Sequence, residues 1–415
     1  MHYRLKIIYF YAKIIRIRAK QNSFAILKLK GKTKMKKLLS IILAAIMLVA
    51  CCVPAFAEDA VTLKFDKDGD FKILHITDCQ DTYPANTTML QFIQHCLDKY
   101  APDLVVLGGD NTVPKANDIE ASIKELTEVF VKNETYFTLV FGNHDREDNR
   151  GGNDKLLAFY QKHGGKYCLT YDQWVDTETE SMKKRAGTHN LPIMSSDGKK
   201  VAYNLYMFDS GTSIPGAGYE CVNADQVKWF KDLNSEYTKN NGGNVIPSMV
   251  FQHIIVGEIM DVFYKEKKDV VLSLDSKYCN KKEYDLTIAD FSAIKDGMLL
   301  EPPCPGDDNF GQFDAMVEQG TVAVFSGHDH VNTFTVNHKG VDIVNTAGCT
   351  FHSYGQDYNR GGRLITIHED TKEYESETLL LAEEALDSDV IELNFFSKIF
   401  GVMINKIILA FFNLF

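Results

Sequence analysis

Three side chains capable of chemistry stand in a row at Asn143, His144 and Asp145, where hydrophobic packing gains nothing from them. Asn143 offers a neutral oxygen to a hard cation, and His144 offers an acid or a base near neutral pH. Gly142 precedes them, and a glycine lets the backbone turn sharply and approach a ligand. The apolar run at residues 136–141 predicts a buried strand before this motif. The pattern indicates metal or acid–base chemistry at a strand end.

Five strand-like runs in the chain end in residues of the types that bind metals. The other four lie at residues 71–80, 104–110, 248–253 and 322–330. Strand ends at one edge of a parallel sheet are where α/β proteins place their sites. The residues concerned are Asp78, Gln80, Asp110, Asn143, His253, His328 and His330. The sequence therefore predicts a metal site at such an edge.

In their order, these motifs resemble the signature of the calcineurin-like metallophosphoesterases. The resemblance covers roughly residues 70–370, and the stretch at residues 309–330 is most similar to the purple-acid-phosphatase-like branch. It implies an α/β fold, a four-layer α/β/β/α sandwich, with the site at the strand ends between the sheets. One position departs from the family pattern, because Gln80 stands where a histidine is usual. An amide oxygen is a weaker ligand than imidazole for zinc or iron and suits harder metals better.

The resemblance also implies two divalent or trivalent metal ions (Mn, Fe or Zn) bridged by the carboxylate of Asp110. One ion would be held by Asp78, Gln80 and His330, and the other by Asn143, His253 and His328. A hydroxide shared by the two ions would attack phosphorus in line. His144 would protonate the leaving oxygen, and Asp145 would orient its ring. We further expect substrate contacts from Asn111, Arg146, His352 and Arg363.

The implied function is an exported phosphoesterase that acts on a small phosphate ester. A phosphodiesterase acting on nucleotides or lipid head groups is a second possibility. A third is an anchored binding module with a degenerate metal site, and only Gln80 favours it, since Asp110, Asn143 and His144 are all present.

The charge of the chain is divided unevenly. Residues 1–57 contain 12 Lys and Arg and no Asp or Glu, which leaves 33 basic against 56 acidic residues, a net charge of −23, in the rest. So acidic a chain argues against a nucleic-acid backbone as the main partner.

Residues 35–57 read as a signal peptide within a leader that spans residues 1–57. Two lysines precede an apolar stretch at residues 38–49, which is short for a membrane span, and an Ala-x-Ala site ends at Ala57. Cys51 also fits a lipoprotein signal and would then be lipidated. We favour cleavage after Ala57 and expect a secreted or cell-surface bacterial protein.

The remaining chain divides into a phosphoesterase domain at residues 58–385, with an insertion at 254–310, and a C-terminal tail at 386–415. Alternating strands and helices, the latter near 87–99 and 118–131, predict a parallel sheet in the first half. We expect Asp118 to cap the second helix and Cys79 to face the core. The tail predicts an amphipathic helix that lies on a membrane surface or packs on the domain.

Overall fold

Two β-sheets pack face to face in the middle of this computed structural model. The structure describes residues 61–113, 118–147, 152–173, 185–266, 277–278, 282–286 and 289–414. They belong to one compact unit, Val61–Phe415. The predicted leader, including Cys51, lies outside the described residues.

The strands and helices follow one another in mixed order. The strands are β1 Leu63–Lys64, β2 Asp70–Ile76, β3 Leu104–Leu107, β4 Phe137–Leu139, β5 His189–Met194, β6 Val201–Phe208, β7 Ser248–Gln252, β8 Lys265–Glu266, β9 Lys277–Tyr278, β10 Lys282–Asp285, β11 Ile294–Asp296, β12 Thr321–Ser326, β13 Thr335–His338, β14 Val341–Asn345, β15 Gly361–His368 and β16 Tyr374–Leu380. The helices are α1 Thr87–Tyr100, α2 Ile119–Lys132, α3 Asn153–Gly164, α4 Ala224–Asn240, α5 Ile259–Phe263, α6 Gln312–Glu318, α7 Leu381–Glu384 and α8 Phe395–Phe412.

The first sheet has five strands in the order β16-β15-β2-β3-β4. β2, β3 and β4 are parallel neighbours, and α1 and α2 connect them in the chain. This is the alternating arrangement that the sequence predicts. Because the three strands run in the same direction, their carboxyl ends lie at one edge of the sheet.

The second sheet has eight strands in the order β1-β5-β6-β7-β12-β14-β13-β11. β6, β7, β12 and β14 are parallel, while β5 and β6 form an antiparallel pair. The predicted insertion at residues 254–310 contributes β11, which pairs antiparallel with β13. Part of that segment therefore extends the main sheet, and β8, β9 and β10 form a small sheet of their own.

Three hydrophobic clusters show how the layers are stacked. One lies between the sheets and includes Phe71, Val106, Met249 and Phe325. A second packs the five-stranded sheet against α1, α2 and α3, and a third packs the eight-stranded sheet against α4, α5 and α6. The order of layers is helices, sheet, sheet, helices, which confirms the four-layer sandwich. Cys79 is fully buried in the second cluster, as predicted.

Helix ends show where local rules held and where they failed. Asn86 caps α1 by accepting a hydrogen bond from the Met89 backbone N–H at 3.0 Å. Asp118 was expected to do the same for α2, but it makes no such bond. Its backbone is already helical (φ −106°, ψ −1°), whereas a capping residue is normally extended.

The C-terminal tail contains α8, an 18-residue helix. Within the described part of the chain, it is the one helix long and apolar enough, by length and composition, to cross a membrane. In this structure it packs on the domain, where Gly401, Asn405 and Phe412 are buried.

Candidate metal centre

The predicted ligands lie at the carboxyl ends of strands from both sheets. Asp78, Asp110 and Asn143 follow β2, β3 and β4 of the five-stranded sheet. His253 directly follows β7 of the eight-stranded sheet, and His328 and His330 follow β12. Because the two sheets pack face to face, these strand ends meet in one buried group.

Three of these side chains form a compact cluster. One ligand atom each from Asp78, Asp110 and His253 lie within 4.8 Å of one another. The Nε2 atom of His253 is 3.2 Å from Asp110 Oδ2 and 3.8 Å from Asp78 Oδ1. His330 also contacts this group, with its Nε2 atom 3.3 Å from Asp78 Oδ1. Two carboxylates and two imidazoles thus converge in a volume that suits a cation.

The hydrogen bonds of both histidines direct Nε2 toward the carboxylates. His253 Nδ1 lies 3.0 Å from the Gly108 carbonyl oxygen, and His330 Nδ1 lies 3.1 Å from that of Tyr354. A carbonyl only accepts, so each Nδ1–H donates, and Nε2 is the ring nitrogen that faces the cluster and would bind a metal ion. This arrangement is typical of metal-ligating histidines.

The polar atoms of the cluster fit bound metal. Asn143 Oδ1 is buried and has no hydrogen-bond donor among the described residues. Burial lowers the pKa of His253, but the charges of Asp110 and Asp78 more than offset this and raise it to about 10. The raised pKa shows that the two carboxylates create a negative potential here, and this potential and the unsatisfied amide oxygen both favour a cation at this position.

Two further predicted ligands border the cluster. The His328 ring lies 5.2 Å from that of His253 between centroids, and burial followed by the His253 charge lowers its pKa to about 3. Gln80 donates from Nε2 to Asp110 Oδ2 at 3.3 Å. Turning the amide by half a rotation would present its oxygen to a cation instead, because the two ends of an amide have nearly the same shape.

Backbone strain is concentrated at the same residues. Asp78, Gln80, Asp110 and His328 all have positive φ angles, of 49°, 38°, 50° and 72°. Residues other than glycine rarely adopt this conformation, which costs energy and tends to cluster at functional sites. Four of the seven predicted ligands are therefore held in a strained backbone by their surroundings.

Two motif glycines make room for the carboxylates. A Cβ atom added to Gly142 would lie 2.1 Å from Asp110 Oδ1. One added to Gly327 would lie 1.9 Å from Thr77 Oγ1 and 2.4 Å from Asp78 Oδ2. These contacts are far shorter than van der Waals distances. Glycine is required at both positions because Gly142 and Asp110 follow neighbouring strands of one sheet, whereas Gly327 and Asp78 follow strands of the two facing sheets, and both pairs approach closely.

Asp145 hydrogen-bonds to the backbone, whereas we expected it to orient the His144 ring. Its carboxylate accepts backbone N–H bonds from Asp110, Asn111, Thr112 and Gly142 at 2.8–3.4 Å. Burial and the neighbouring Asp110 raise its pKa to about 6, and a carboxylate with four donors is well suited to remain ionised above that pH. Asp145 therefore joins the strand ends after β3 and β4.

Glu147 takes the place expected of Asp145. Its Oε2 atom lies 2.8 Å from His144 Nδ1, while the backbone N–H of His144 donates to Asp110 Oδ1 at 2.7 Å. His144 Nε2 then lies 4.0 Å from Asp110 Oδ2. Sequence reasoning missed Glu147 because the 3-10 turn His144–Arg146 brings it back three residues later. An acidic residue at that spacing was the available signal.

Two of the four expected substrate contacts are buried for structural reasons. Arg363 is fully buried and donates to the carbonyl oxygens of Thr333 and Asn345. Asn111 is fully buried too, and its Nδ2 donates to the Val140 carbonyl oxygen at 3.1 Å. Neither side chain is exposed to a substrate, so we correct both predictions.

The other two expected contacts retain exposed surface near the cluster. Arg146 pairs with the buried carboxylate of Asp209 and lines a cavity of about 720 Å³. His352 Nε2 lies 3.1 Å from Asp81 Oδ1, next to Gln80 in the chain. The cavity lies beside the cluster, since Thr212, also in its wall, donates to the Asn143 carbonyl oxygen at 3.3 Å.

Curated relatives are similar over most of the chain. The Arabidopsis thaliana protein named "Probable inactive purple acid phosphatase 14" is 27% identical, over 77% of this chain and 80% of its own length. "Probable inactive purple acid phosphatase 29" of the same plant is 28% identical, over 80% of this chain and 85% of its own length. Both support the predicted purple-acid-phosphatase-like branch.

Among solved structures, a dimetal phosphatase from Danio rerio matches 74% of this chain and 99% of its own, with 10% identity. Its TM-score of 0.44 is too low to support an argument about the site. The family model of the calcineurin-like phosphoesterases matches residues 71–332, which include every predicted metal ligand. This match, over a region whose candidate ligands from both sheets meet in one group, shows that the chain belongs to the calcineurin-like phosphoesterase family.

Proposed function

We propose that this chain is an active phosphoesterase that hydrolyses small phosphate esters with two bound metal ions. The observation that carries the proposal is the convergence of Asp78, Asp110 and His253 beside the partly exposed ring of His144. Bound metal ions would supply positive charge to stabilise a phosphoryl group and to activate water. The rest of the chemistry depends on the chain's own side chains.

Asp110 is the side chain that would be shared by the two ions. It lies at the centre of the group, with Oδ1 bonded to the His144 backbone N–H at 2.7 Å and Oδ2 facing His253 at 3.2 Å. The ligands proposed for one ion are Asp78, Gln80 and His330, and those for the other are Asn143, His253 and His328. Each set combines oxygen and nitrogen donors, which suits Mn, Fe or Zn.

His144 is placed to act as the general acid. Its side chain is 42% exposed, whereas the carboxylate of Asp110 beside it is buried. When Nδ1 is bonded to Glu147, Nε2 is the atom left to give a proton to the leaving oxygen. The bond to Glu147 fixes the orientation of the ring, which proton transfer to a bound ester would require.

The cavity beside the cluster is the proposed site for the organic group of the ester. Its volume of about 720 Å³ is within the range of sites for small organic ligands. Arg146 and Arg185 stand in its wall with Glu220 and Asp308, so its charge is mixed. We expect this wall to determine whether monoesters or diesters are preferred.

A binding module with a degenerate site is the competing function. Gln80 favours it, and so do the names of the two plant relatives, which call those proteins probably inactive. The retention of Asp110, Asn143, His144 and the ring partner Glu147 favours the enzyme.

The test combines metal analysis with turnover. The purified chain would be supplied with Mn, Fe or Zn and assayed on p-nitrophenyl phosphate and bis-p-nitrophenyl phosphate. We expect two metals per chain and activity that His144→Ala abolishes without loss of metal. His163→Ala is the matched control, because His163 pairs with Glu120 on α2. Metal binding without turnover in any metal would reject the enzyme, and Gln80→His would then show whether one ligand explains the loss.

We also propose that the protein is exported. The support is the arrangement of basic, apolar and small residues at 35–57, followed by an acidic chain. Mass analysis of the secreted product should show Glu58 at its N-terminus. A lipid-modified Cys51 would instead establish the lipoprotein alternative.

A further inference from the structure

The helix α8 exposes a continuous apolar surface. Eight of the sixteen exposed large hydrophobic side chains among the described residues lie between positions 395 and 414. They are Phe395, Phe396, Ile399, Phe400, Met403, Ile407, Phe411 and Leu414. Single exposed apolar residues are normal on soluble proteins, but a concentration of this kind marks a contact with a partner or a membrane.

The opposite side of α8 is fixed to the domain. Gly401 is buried, and an added Cβ there would lie 2.6 Å from the Ala382 side chain and 3.4 Å from the Tyr358 backbone. Asn405, one helical turn later, is also buried, and the Phe412 ring packs on that of Phe291 at 5.2 Å between centroids. The helix is therefore held closely on one side, and its most apolar side faces away from the protein.

The segment under α8 also contacts the metal centre. Tyr358, which lies beneath Gly401, is four residues beyond Tyr354. The Tyr354 ring stacks on that of His330 at 4.1 Å, and its carbonyl accepts from His330 Nδ1. At the other end of this segment, the Arg360 carbonyl accepts from Leu381 N–H of α7. One short segment thus joins a predicted metal ligand to the base of the exposed helix.

The charges on α8 favour a phospholipid surface over a second copy of the chain. The helix contains Lys398 and Lys406 and no acidic residue, although the chain after residue 57 has 33 basic and 56 acidic residues. By helical spacing Lys406 lies at the edge of the apolar face, where its stem can follow the apolar surface and its ammonium can reach lipid phosphates. Two copies meeting face to face would bring two such lysines together without a carboxylate from either helix.

We propose that α8 seats the domain on a lipid bilayer, lying in the plane of the interface. Phe396, Met403 and Ile407 enter the acyl region, and Lys406 contacts anionic head groups. The metal centre is then held near the membrane surface, because Tyr354 and Tyr358 belong to the same segment. This inference does not depend on phosphoesterase activity, so either proposal can fail without the other.

The test uses a fluorescent reporter placed on α8 of the full chain. Such a reporter detects contact between α8 and lipid, even where the leader also binds vesicles. Phe396→Trp is compared with Val317→Trp, which changes another exposed apolar residue, on α6. Vesicles contain phosphatidylcholine and phosphatidylglycerol with brominated acyl chains. We expect the bromines to quench the reporter at position 396 and to leave the one at 317 unchanged. The absence of quenching at 396 would overturn the proposal.

Two variants separate the contributions to binding. The affinity for vesicles is measured by the quenching of a tryptophan introduced by Phe400→Trp. Substituting Phe396, Met403 and Ile407 together by serine should weaken this affinity by at least about tenfold. Lys406→Glu should weaken it by roughly fivefold or more on anionic vesicles only. Binding unchanged by the triple substitution would overturn the proposal. A dimer that forms without lipid and is lost in the triple variant would also overturn it, because α8 would then bind a second copy. Protection of the helix C-terminus from protease inside the vesicle would overturn it too, because it would show that α8 spans the membrane.

Discussion

At the scale of single residues, the site is determined by which atoms are left without a partner. Asn143 Oδ1 is buried and receives no hydrogen bond from any residue that the structure describes, and Nε2 of His253 faces two carboxylates. Burying polar atoms in this way is costly unless something pairs with them. The ligand types therefore indicate a candidate metal site, whereas the role of each acid near His144 depends on geometry.

Glu147→Gln provides the sharpest test at this scale. The amide keeps the shape of the side chain but removes the charge that holds the His144 ring at Nδ1. We expect kcat to fall about tenfold, with metal content unchanged. The measurement is single-turnover kinetics alongside metal analysis.

Asp145→Asn is the contrasting variant. Its amide nitrogen would face two of the four backbone N–H donors that the carboxylate accepts, so stability and metal binding should both fall. Equal effects of the two substitutions on kcat alone would contradict the separate roles assigned here.

Sequence reasoning found candidate ligands that the fold brings together, because strand ends and residue types are local properties. It misassigned Arg363, because burying an arginine requires carbonyl oxygens from Thr333 and Asn345, which only the folded chain brings together. It missed Glu147 for a related reason, since one turn of 3-10 helix determines which carboxylate reaches the ring.

At the scale of elements, the close approach of strand ends controls the position of Asp110. The first βαβαβ half was predictable from hydrophobic periodicity. The pairing of β11 with β13 was not, because it joins segments about forty residues apart through backbone hydrogen bonds. The exposed side of α8 was likewise beyond prediction, since it depends on which face the domain covers.

Gly142→Ala tests the close approach. A Cβ there would meet Asp110 Oδ1 at 2.1 Å, so the carboxylate must move, and we expect metal affinity to fall roughly a hundredfold. The measurement is a metal titration followed by calorimetry.

Gly340→Ala is the matched control for that substitution. Gly340 has a φ of 87° and open space around the added atom, so the variant should lose stability but keep its metal affinity. Comparable losses of affinity in both variants would show that a general loss of stability, not contact with Asp110, explains the result.

At the scale of the whole molecule, buried neutral histidines make stability depend on pH. His189 is fully buried, and its pKa is lowered to about 4 by that burial. Its Nδ1 donates to the Gly187 carbonyl oxygen at 2.6 Å, and Thr138 Oγ1 lies 2.8 Å from Nε2. Both bonds suit the neutral ring.

The sign of the effect follows from the two pKa values. Below pH 6.5 the unfolded chain takes up a proton at this residue before the folded chain does, so the free energy of unfolding falls as the pH drops from about 6.5 to about 4. At pH 5 the loss from His189 should be about 2 kcal/mol. Denaturant unfolding at pH 7 and pH 5 should show a smaller difference in His189→Gln, and an identical difference would refute the assignment.

Metal removal should loosen the molecule at one edge. The donors come from both sheets, so a bound ion stabilises their association as well as each strand end. At a free metal concentration 100 times Kd, the stabilisation should be about 2.7 kcal/mol. Rates of hydrogen exchange measured with and without chelator should differ most at residues 77–80, 108–112, 140–145 and 327–330. A change in rate that is equal over the whole chain would contradict this.

The division of the ligands between two sheets has a consequence for how the metal is acquired. Neither half of the chain holds a complete set of donors, since Asp78, Asp110 and Asn143 come from one sheet and His253, His328 and His330 from the other. High-affinity loading must therefore follow the docking of the sheets. The ions present in the compartment where folding finishes, and not only the preferences of the ligands, would then decide which metal the proposed centre takes up.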